Sequence, residues 1–259
     1  MKEILSNSHG SGNDFSYLDR HMYKVGNLLI KSNQKCSCRT IRDLLDFLNK
    51  KYGSEKFSKK LHILTFRNIY KRLVSGYLDI YVFVNEYRDL VKNKLLVETF
   101  YDFVEELSTN GVTNFDKFHF NLQTVKFDKL HSYYGFDLDY IFDSEKINDL
   151  INFILEFYDL PKEDIEEINN SFNHSKKNKD KEFVIRHQNT TDNIGDIIPY
   201  ATNRETILEL RNKGTYIKYD LYYSNKIRSI VRELYDLDIE YLKENSKKVY
   251  SESLKSLLE

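Results

Sequence analysis

A lysine, two thiols, two hydroxyls and an arginine stand together between an apolar run and an amphipathic segment. The stretch is Lys35-Cys36-Ser37-Cys38-Arg39-Thr40, between residues 28–30 and a helical pattern. A helix N-terminus carries unpaired N–H groups and the positive end of the helix dipole, so it attracts anions. Lys35 adds a full positive charge and Thr40 a hydroxyl donor. We predict an anion site here; the alternative is a solvated basic loop with a capping threonine.

An arginine and a serine eight residues later form the second group of interest. Arg67 follows the apolar run 61–66, and Ser75 lies about two turns into the next helical pattern. A guanidinium and a hydroxyl together suit a phosphate monoester. Open α/β sheets bind ligands beyond the carboxyl ends of their strands, so Lys35 and Arg67 are expected at one edge. The alternative is a structural arginine paired with a helix carboxylate, with Ser75 on a crowded helix face.

Two other kinds of site are disfavoured by the motifs that are missing. A Walker A loop needs Gly-x-x-x-x-Gly-Lys-Ser/Thr, and no glycine lies between Gly26 and Gly53, which weakens an ATP or GTP kinase. Cys36-x-Cys38 lacks a second cysteine or histidine pair, so no metal is expected.

The elements that position these residues follow from hydrophobic spacing. Residues 28–30 and 61–66 are predicted strands, and each precedes a helical stripe. The first stripe is Ile41, Leu44, Leu45 and Leu48; the second is Ile69, Leu73, Tyr77, Ile80 and Val84. Two strand–helix units in succession predict an α/β fold, with a central parallel sheet flanked by helices.

Later elements are predicted from the same patterns. We expect a helix over 98–107, a short strand over 140–142, and a helix with Ile147, Leu150, Ile151 and Ile154 on one face, capped by Asp143. Thr202 and Glu205 have capping-box spacing, and a last strong helix is expected around Ile227–Leu234, followed by a tail that frays after about residue 245.

The bulk composition bounds the class of protein. The 259 residues carry a net charge of −1 and are 41% apolar, which fits one medium domain and argues against bulk binding of nucleic acid or anionic membranes. We expect a flexible leader over 1–20, a single domain over 21–259, and a polar mobile insertion near 171–196. Without a signal peptide or transmembrane run, a cytoplasmic or otherwise soluble intracellular protein is expected.

Together the two motifs resemble those of the family-2 sulfotransferases, the branch that contains many carbohydrate sulfotransferases. The family's first motif reads roughly Pro-Lys-Val-Ala-Cys-Ser/Thr-Thr-Ile, against Gln34–Ile41 here. The second reads roughly Phe-x-Arg-Asn/Asp-Pro-Tyr-x-Arg-Leu-x-Ser-x-Tyr, against Phe66–Tyr77 here. Gln34 and Ile69 replace prolines, which relaxes the loops but removes no chemical group. Arg39 takes a Ser/Thr position and adds positive charge where the sulfonate or the 5′-phosphate would lie.

The resemblance implies a P-loop-like three-layer fold and a specific co-substrate. That co-substrate is 3′-phosphoadenosine 5′-phosphosulfate (PAPS), and the product is adenosine 3′,5′-bisphosphate. It implies that Arg67 and Ser75 bind the 3′-phosphate and that Lys35 also stabilises the leaving oxygen. The residues it assigns to the 5′-phosphosulfate are Lys35, Cys36, Ser37, Cys38, Arg39 and Thr40.

A histidine in residues 116–123 is the candidate general base. Related enzymes often carry a His-aromatic-x-Pro-Gln segment near the acceptor, and His119 and Gln123 stand here in a similar segment with the spacing off by one. A histidine near its ordinary pKa can take a proton from a hydroxyl at neutral pH. The alternative for His119 is a surface or packed loop histidine.

The expected activity is therefore transfer of a sulfuryl group from PAPS to an acceptor hydroxyl, on a glycan or a small molecule. Two other classes stay open. One is a P-loop-type kinase or nucleotide-binding enzyme, and the other is a catalytically inactive binding protein of the same fold.

Overall fold

The computed structural model describes residues 21–33, 36–83, 97–111, 120, 122–124, 137–176, 190–191, 195 and 197–258. Within these ranges the chain is mixed α/β. None of the helices in this described part is long and apolar enough to cross a membrane. Gln34, Lys35 and His119, and all of residues 1–20, lie outside the described residues.

The helices and strands follow in chain order. They are β1 (Met22–Val25), β2 (Leu28–Lys31), α1 (Cys38–Tyr52), β3 (Leu61–Phe66), α2 (Ile69–Tyr77), α3 (Phe100–Asn110), β4 (Tyr140–Asp143), α4 (Ile147–Phe157), α5 (Asp164–Lys176), β5 (Thr190–Thr191), α6 (Arg204–Asn212), β6 (Tyr216–Ile217), α7 (Asn225–Leu234), α8 (Asp236–Glu244) and α9 (Glu252–Lys255).

The chain divides into two compact units. The described parts of residues 11–68, 123–178 and 238–259 form the first, which we call the sheet unit. The described parts of residues 69–122 and 179–237 form the second, which we call the helical unit.

The sheet unit is built on four strands in the order β1-β2-β3-β4. β2, β3 and β4 are parallel, and β1 pairs with β2 in antiparallel fashion through the turn at Gly26. One face of the sheet is covered by α1, α4 and α5, whose apolar stripes meet it in a single core. Leu28 and Ile30 of β2, two residues apart, lie in that core because alternate strand residues share a face.

The helical unit has a core dominated by aromatic rings. Tyr77 at the end of α2 packs against Phe100 and Phe103 of α3, with ring centroids 5.2 Å apart in both pairs. Gly76 has a packing role, because a Cβ there would come within 2.7 Å of the ring of Phe120. α2 continues into a π-helical segment, Leu78–Phe83.

The strands and helices nearest the anion motifs agree with the sequence. β3 spans the predicted residues 61–66, and the α1 stripe of Ile41, Leu44, Leu45 and Leu48 is buried. A mobile insertion was predicted over residues 171–196. Residues 171–176 instead belong to α5, and residues 177–189 lie outside the described ranges.

Two predicted helix caps are wrong. Asp143 belongs to β4 and does not cap α4, whose N-cap is Lys146 without a side-chain hydrogen bond. The predicted box of Thr202 and Glu205 is displaced by one residue, because Asn203 is the N-cap of α6 and accepts from the Thr206 N–H. In both places the sequence has a polar residue close to the helix start, but the N-cap of the helix lies one or more residues later.

The predicted fraying after residue 245 is also wrong. Val249 bridges to Ile141 in parallel fashion, and Tyr250 N donates to the Ile141 carbonyl oxygen at 2.9 Å. Ser251 accepts from the buried N–H of Asp143 at 2.9 Å. The C-terminal segment therefore extends the sheet beyond β4 and fixes the residues where β4 ends.

Ser251→Ala tests whether this segment belongs to the sheet. The substitution leaves the buried N–H of Asp143 without its acceptor, which costs about 1–3 kcal/mol in the free energy of unfolding. Ser256→Ala in the exposed last turn is the matched control and should change it by less than about 0.5 kcal/mol. Urea unfolding of the two variants measures the difference, and equal stabilities would contradict the role given to Ser251.

Candidate functional site

The residues that follow the parallel strands of the sheet unit lie at one edge of the sheet. Of the described residues, Ser32, Asn33, Cys36 and Ser37 follow β2, Arg67 follows β3, and Ser144 and Glu145 follow β4. This is the edge where open α/β sheets bind ligands. We call these residues the strand-end cluster.

The N-terminus of α1 is held in an unusual conformation. Ser37, its N-cap, has a φ of 59°, in the left-handed region that costs a residue other than glycine about 1 kcal/mol. Its hydroxyl does not cap the helix but donates to the Ser144 carbonyl oxygen at 2.7 Å. Cys38, Arg39 and Thr40 form the first turn of α1, and no acidic residue lies in that turn. The positive end of the helix is thus left without a side-chain anion of its own.

The loop that leads into α1 is held by hydrogen bonds from neighbouring residues. Its pivot is Cys36, which is fully buried and whose carbonyl oxygen accepts from the hydroxyls of Ser32 at 2.7 Å and Thr65 at 3.3 Å. On the other side, burial and the neighbouring Cys38 thiol raise the pKa of Tyr23 to about 12, so this phenol stays protonated at neutral pH. The described part of the loop is therefore preorganised.

Gln123 joins the parts of the cluster that follow β2 and β3. No spacing in the sequence predicted these contacts. The side-chain amide of Gln123 accepts from the Arg67 N–H at 2.8 Å and donates to the Arg67 carbonyl oxygen at 2.9 Å. The same Oε1 accepts from the Cys36 thiol at 3.1 Å. The backbone oxygen of Gln123 accepts from the Asn33 side chain at 2.9 Å. Gln123 thus links the loop after β2 to the residue after β3.

A buried carboxylate holds that glutamine in place. Asp238, at the start of α8, is fully buried and accepts from the backbone N–H groups of Gln123 and Thr124 at 2.9 Å. It also accepts from the Thr124 hydroxyl at 2.7 Å. A buried carboxylate is tolerated when such donors surround it, and here they fix the backbone at residues 123–124.

Arg67 has a carboxylate partner in the strand-end cluster. Its Nε and Nη2 both donate to Oε1 of Glu145, at 3.1 and 3.0 Å. The side chains are 11% and 29% exposed, so the pair lies at the border of solvent. This contact matches the alternative in which Arg67 pairs with a carboxylate, although Glu145 precedes α4 and does not lie within it.

Ser144 adds a hydroxyl that the sequence did not single out. The residue is 4% exposed, and its Oγ has no hydrogen-bond partner within the described part of the chain. Because the Ser144 carbonyl receives the Ser37 hydroxyl, this unsatisfied group stands at the N-terminus of α1. Buried polar groups are almost always satisfied, so a buried hydroxyl without a described partner is an exception that calls for an explanation, such as a ligand.

The remaining predicted residues are distributed as follows. Cys36, Ser37, Cys38, Arg39, Thr40 and Arg67 belong to the sheet unit. Ser75 belongs to the helical unit, where it is buried on α2. Lys35 and His119 lie outside the described residues. Ser144 and Glu145 carried one available signal, since they lie just beyond the strand predicted over 140–142.

A cavity of about 390 Å³ in the sheet unit is lined by the start of α4, including Lys146, which follows Glu145 in the chain, and by the C-terminal segment 250–253. Its lining includes Lys146, Asp149, Asn152 and the partly exposed ring of Tyr250. The lining mixes hydrogen-bond donors and acceptors around one aromatic ring and carries charges of both signs.

Comparisons of the chain with protein-family models, with curated proteins and with solved structures find no match.

Gln123→Ala tests whether this amide holds the cluster together. Removing it leaves the backbone groups of Arg67 and the Cys36 thiol without their partner, so unfolding should become easier by about 2–4 kcal/mol. The buried Cys36 should also react with a thiol reagent at least about tenfold faster in native buffer, because local opening becomes more frequent.

The labelling is done in a Cys38→Ser background, so that one described thiol is followed. Asn152→Ala, which removes an exposed amide, is the control and should leave both measurements unchanged. A Gln123→Ala variant with unaltered Cys36 labelling would show that the two loops are held by other contacts.

Proposed function

We propose that this chain is a PAPS-dependent sulfotransferase, which moves a sulfuryl group to an acceptor hydroxyl through a P-loop-like site. The observation that carries the proposal is the strand-end cluster. The N-terminus of α1 has no side-chain cap, and Arg67 follows the neighbouring parallel strand β3. Gln123 joins the loop before α1 to Arg67. The resemblance of both motifs to the sulfotransferases assigns these same residues to the donor.

The fit to a phosphosulfate is supported by the chemistry at α1. A phosphosulfate needs several N–H and O–H donors without a competing carboxylate. The first turn of α1 contains no acidic residue. The carbonyl oxygen of Ser144 accepts from the N-cap Ser37, and the Ser144 hydroxyl has no hydrogen-bond partner among the described residues. The left-handed Ser37 is a strained residue of the kind found at ligand sites, and it turns the chain into this helix.

The fit to the 3′-phosphate is supported by Arg67. A guanidinium with two N–H groups already aligned on one carboxylate oxygen can receive a phosphate oxygen in similar geometry. The resemblance adds Ser75 as a hydroxyl donor to the same phosphate. This end of the ligand distinguishes PAPS from ATP-type donors.

The proposed reaction is in-line transfer in which positioning and charge stabilisation supply most of the rate. The acceptor oxygen attacks sulfur while His119 takes its proton. The bond between sulfur and the bridging oxygen breaks, and Lys35 stabilises the negative charge on that oxygen as adenosine 3′,5′-bisphosphate leaves. Thr40 and the N–H groups of α1 hold the non-bridging oxygens.

The acceptor is proposed to carry its hydroxyl on a glycan or a small molecule. In the sheet unit, the cavity lined by Lys146, Asp149 and Tyr250 is the candidate place for part of it. A lining with both donors and acceptors around an aromatic ring suits a neutral ligand rich in hydroxyls better than a polyanion.

The donor assignment predicts a preference between two nucleotides. Adenosine 3′,5′-bisphosphate should bind at least about tenfold more tightly than AMP, which lacks the phosphate assigned to Arg67. Arg67→Ala should weaken binding of the bisphosphate by about 1.5–3 kcal/mol, the range for a hydrogen bond to a charged group. Calorimetry measures both effects, with Arg42→Ala on the exposed side of α1 as the control. Equal affinity of the wild type for the two nucleotides would contradict the assignment.

The assignment of the catalytic groups predicts a separation of turnover from binding. Lys35→Ala should lower turnover roughly 100-fold or more, since a preorganised cation matters most when charge builds on the leaving oxygen. It should weaken binding of the bisphosphate less than Arg67→Ala does. His119→Ala should slow turnover about 100-fold or more and leave donor binding nearly intact.

Labelled PAPS with a panel of acceptors measures turnover in these variants. Near-full turnover of Lys35→Ala would contradict the anion loop. Near-full turnover of His119→Ala would contradict only the base. Tight binding of the bisphosphate without transfer to any acceptor would favour a catalytically inactive binding protein.

A further inference from the structure

Glu145, the residue paired with the Arg67 guanidinium, bears on which ligands that guanidinium can bind. Glu145 presents one carboxylate oxygen to both Nε and Nη2 of Arg67, along the edge that a phosphate monoester would use. A phosphate oxygen and the Glu145 oxygen therefore compete for the same two N–H groups.

We propose that Glu145 is a specificity-determining residue that competes with the ligand for Arg67, so that a dianionic phosphate monoester displaces it and a monoanion does not. The inference rests on the proposed function, because it takes Arg67 as the receptor of a phosphate. It goes further by assigning a selective role to a residue outside both motifs.

Charge explains the selectivity. Glu145 offers the guanidinium a single negative charge that is already tethered, so a free monoanion gains little by replacing it and loses its own freedom of motion. A phosphate monoester carries about −1.5 to −2 charges near pH 7 and three acceptor oxygens, so it gains more from the same guanidinium. The terminal sulfuryl group of a phosphosulfate carries one negative charge. Glu145 would thus keep that end of the donor away from Arg67 and help to orient it.

The backbone allows the side chain to leave without moving the loop. The N–H of Glu145 donates to Oδ1 of Asp143 at 2.9 Å. Asp143 in turn is held by Ser251 and Ser253 of the C-terminal segment. The Glu145 side chain is more exposed than that of Arg67, 29% against 11%, so displacement moves it towards solvent while Arg67 remains in place.

Glu145→Gln tests the competition. The neutral amide keeps the size of the side chain and loses the charge, so adenosine 3′,5′-bisphosphate should bind roughly threefold or more tightly, as expected when a partly exposed ion pair no longer competes. AMP, which lacks the 3′-phosphate, should change by less than about twofold. Methyl sulfate, a monoanion that represents the singly charged sulfuryl end, should compete with the bisphosphate more effectively in the variant than in the wild type. Calorimetry on the full chain gives the affinities.

Two further variants separate the effect of the Glu145 contact from a general effect of charge. Glu156→Gln makes the same charge change near the end of α4 and should leave all affinities unchanged. Glu145→Asp shortens the side chain, keeps the charge and weakens the contact with Arg67, so it should shift affinity for the bisphosphate in the same direction as Glu145→Gln. Thermal unfolding of each variant confirms that it is folded before binding is measured.

The outcomes separate this inference from the proposed function. If the wild type binds the bisphosphate and Glu145→Gln binds it equally or more weakly, Glu145 positions Arg67 and does not compete, so the inference is overturned and the function stands. An equal gain for AMP would also overturn it, because the effect would then be one of general charge. If neither protein binds the bisphosphate, both the function and the inference fail.

Discussion

The two-point contact between the Gln123 amide and the Arg67 backbone is the interaction on which the candidate site depends. An amide has one carbonyl and one NH₂ group, which match the N–H and the carbonyl oxygen of one residue, so the contact fixes orientation as well as distance. The same amide reaches the Cys36 thiol, so the loop after β2 and the residue after β3 cannot move independently. Since Asp238 holds the backbone of Gln123, the constraint extends to α8.

Local periodicity explains which features the sequence could predict. β3 was predicted because a strand that is buried at every position gives a short, mostly apolar run. The buried stripe of α1 was predicted because burial on one face imposes a period that is visible within 15 residues. Gln123 contacts Arg67 and Asn33 across 56 and 90 positions of the chain, and no spacing rule reports such contacts. The partnership of Arg67 with Glu145 spans 78 positions, and it too became visible only with the fold.

The second motif contains residues of two physical kinds. Arg67 lies at a strand end with its guanidinium near solvent, as a ligand-binding group must. Gly76 and Tyr77 are packed against aromatic rings of the helical unit, where they contribute to the core. Burial raises the pKa of Tyr77 well above its usual value, which keeps the phenol neutral within that core. A shared motif can therefore reflect packing in one half and chemistry in the other, which is why ligand binding has to decide the function.

A crystal structure of the full chain with adenosine 3′,5′-bisphosphate is the most direct test of the proposed site. We expect the 5′-phosphate at the N-terminus of α1, within hydrogen-bond distance of the Ser144 hydroxyl. We also expect the 3′-phosphate on Arg67, with the Glu145 side chain turned away. A nucleotide bound elsewhere would contradict the proposed site. A 3′-phosphate on Arg67 with Glu145 still in place would contradict only the competitive role given to Glu145.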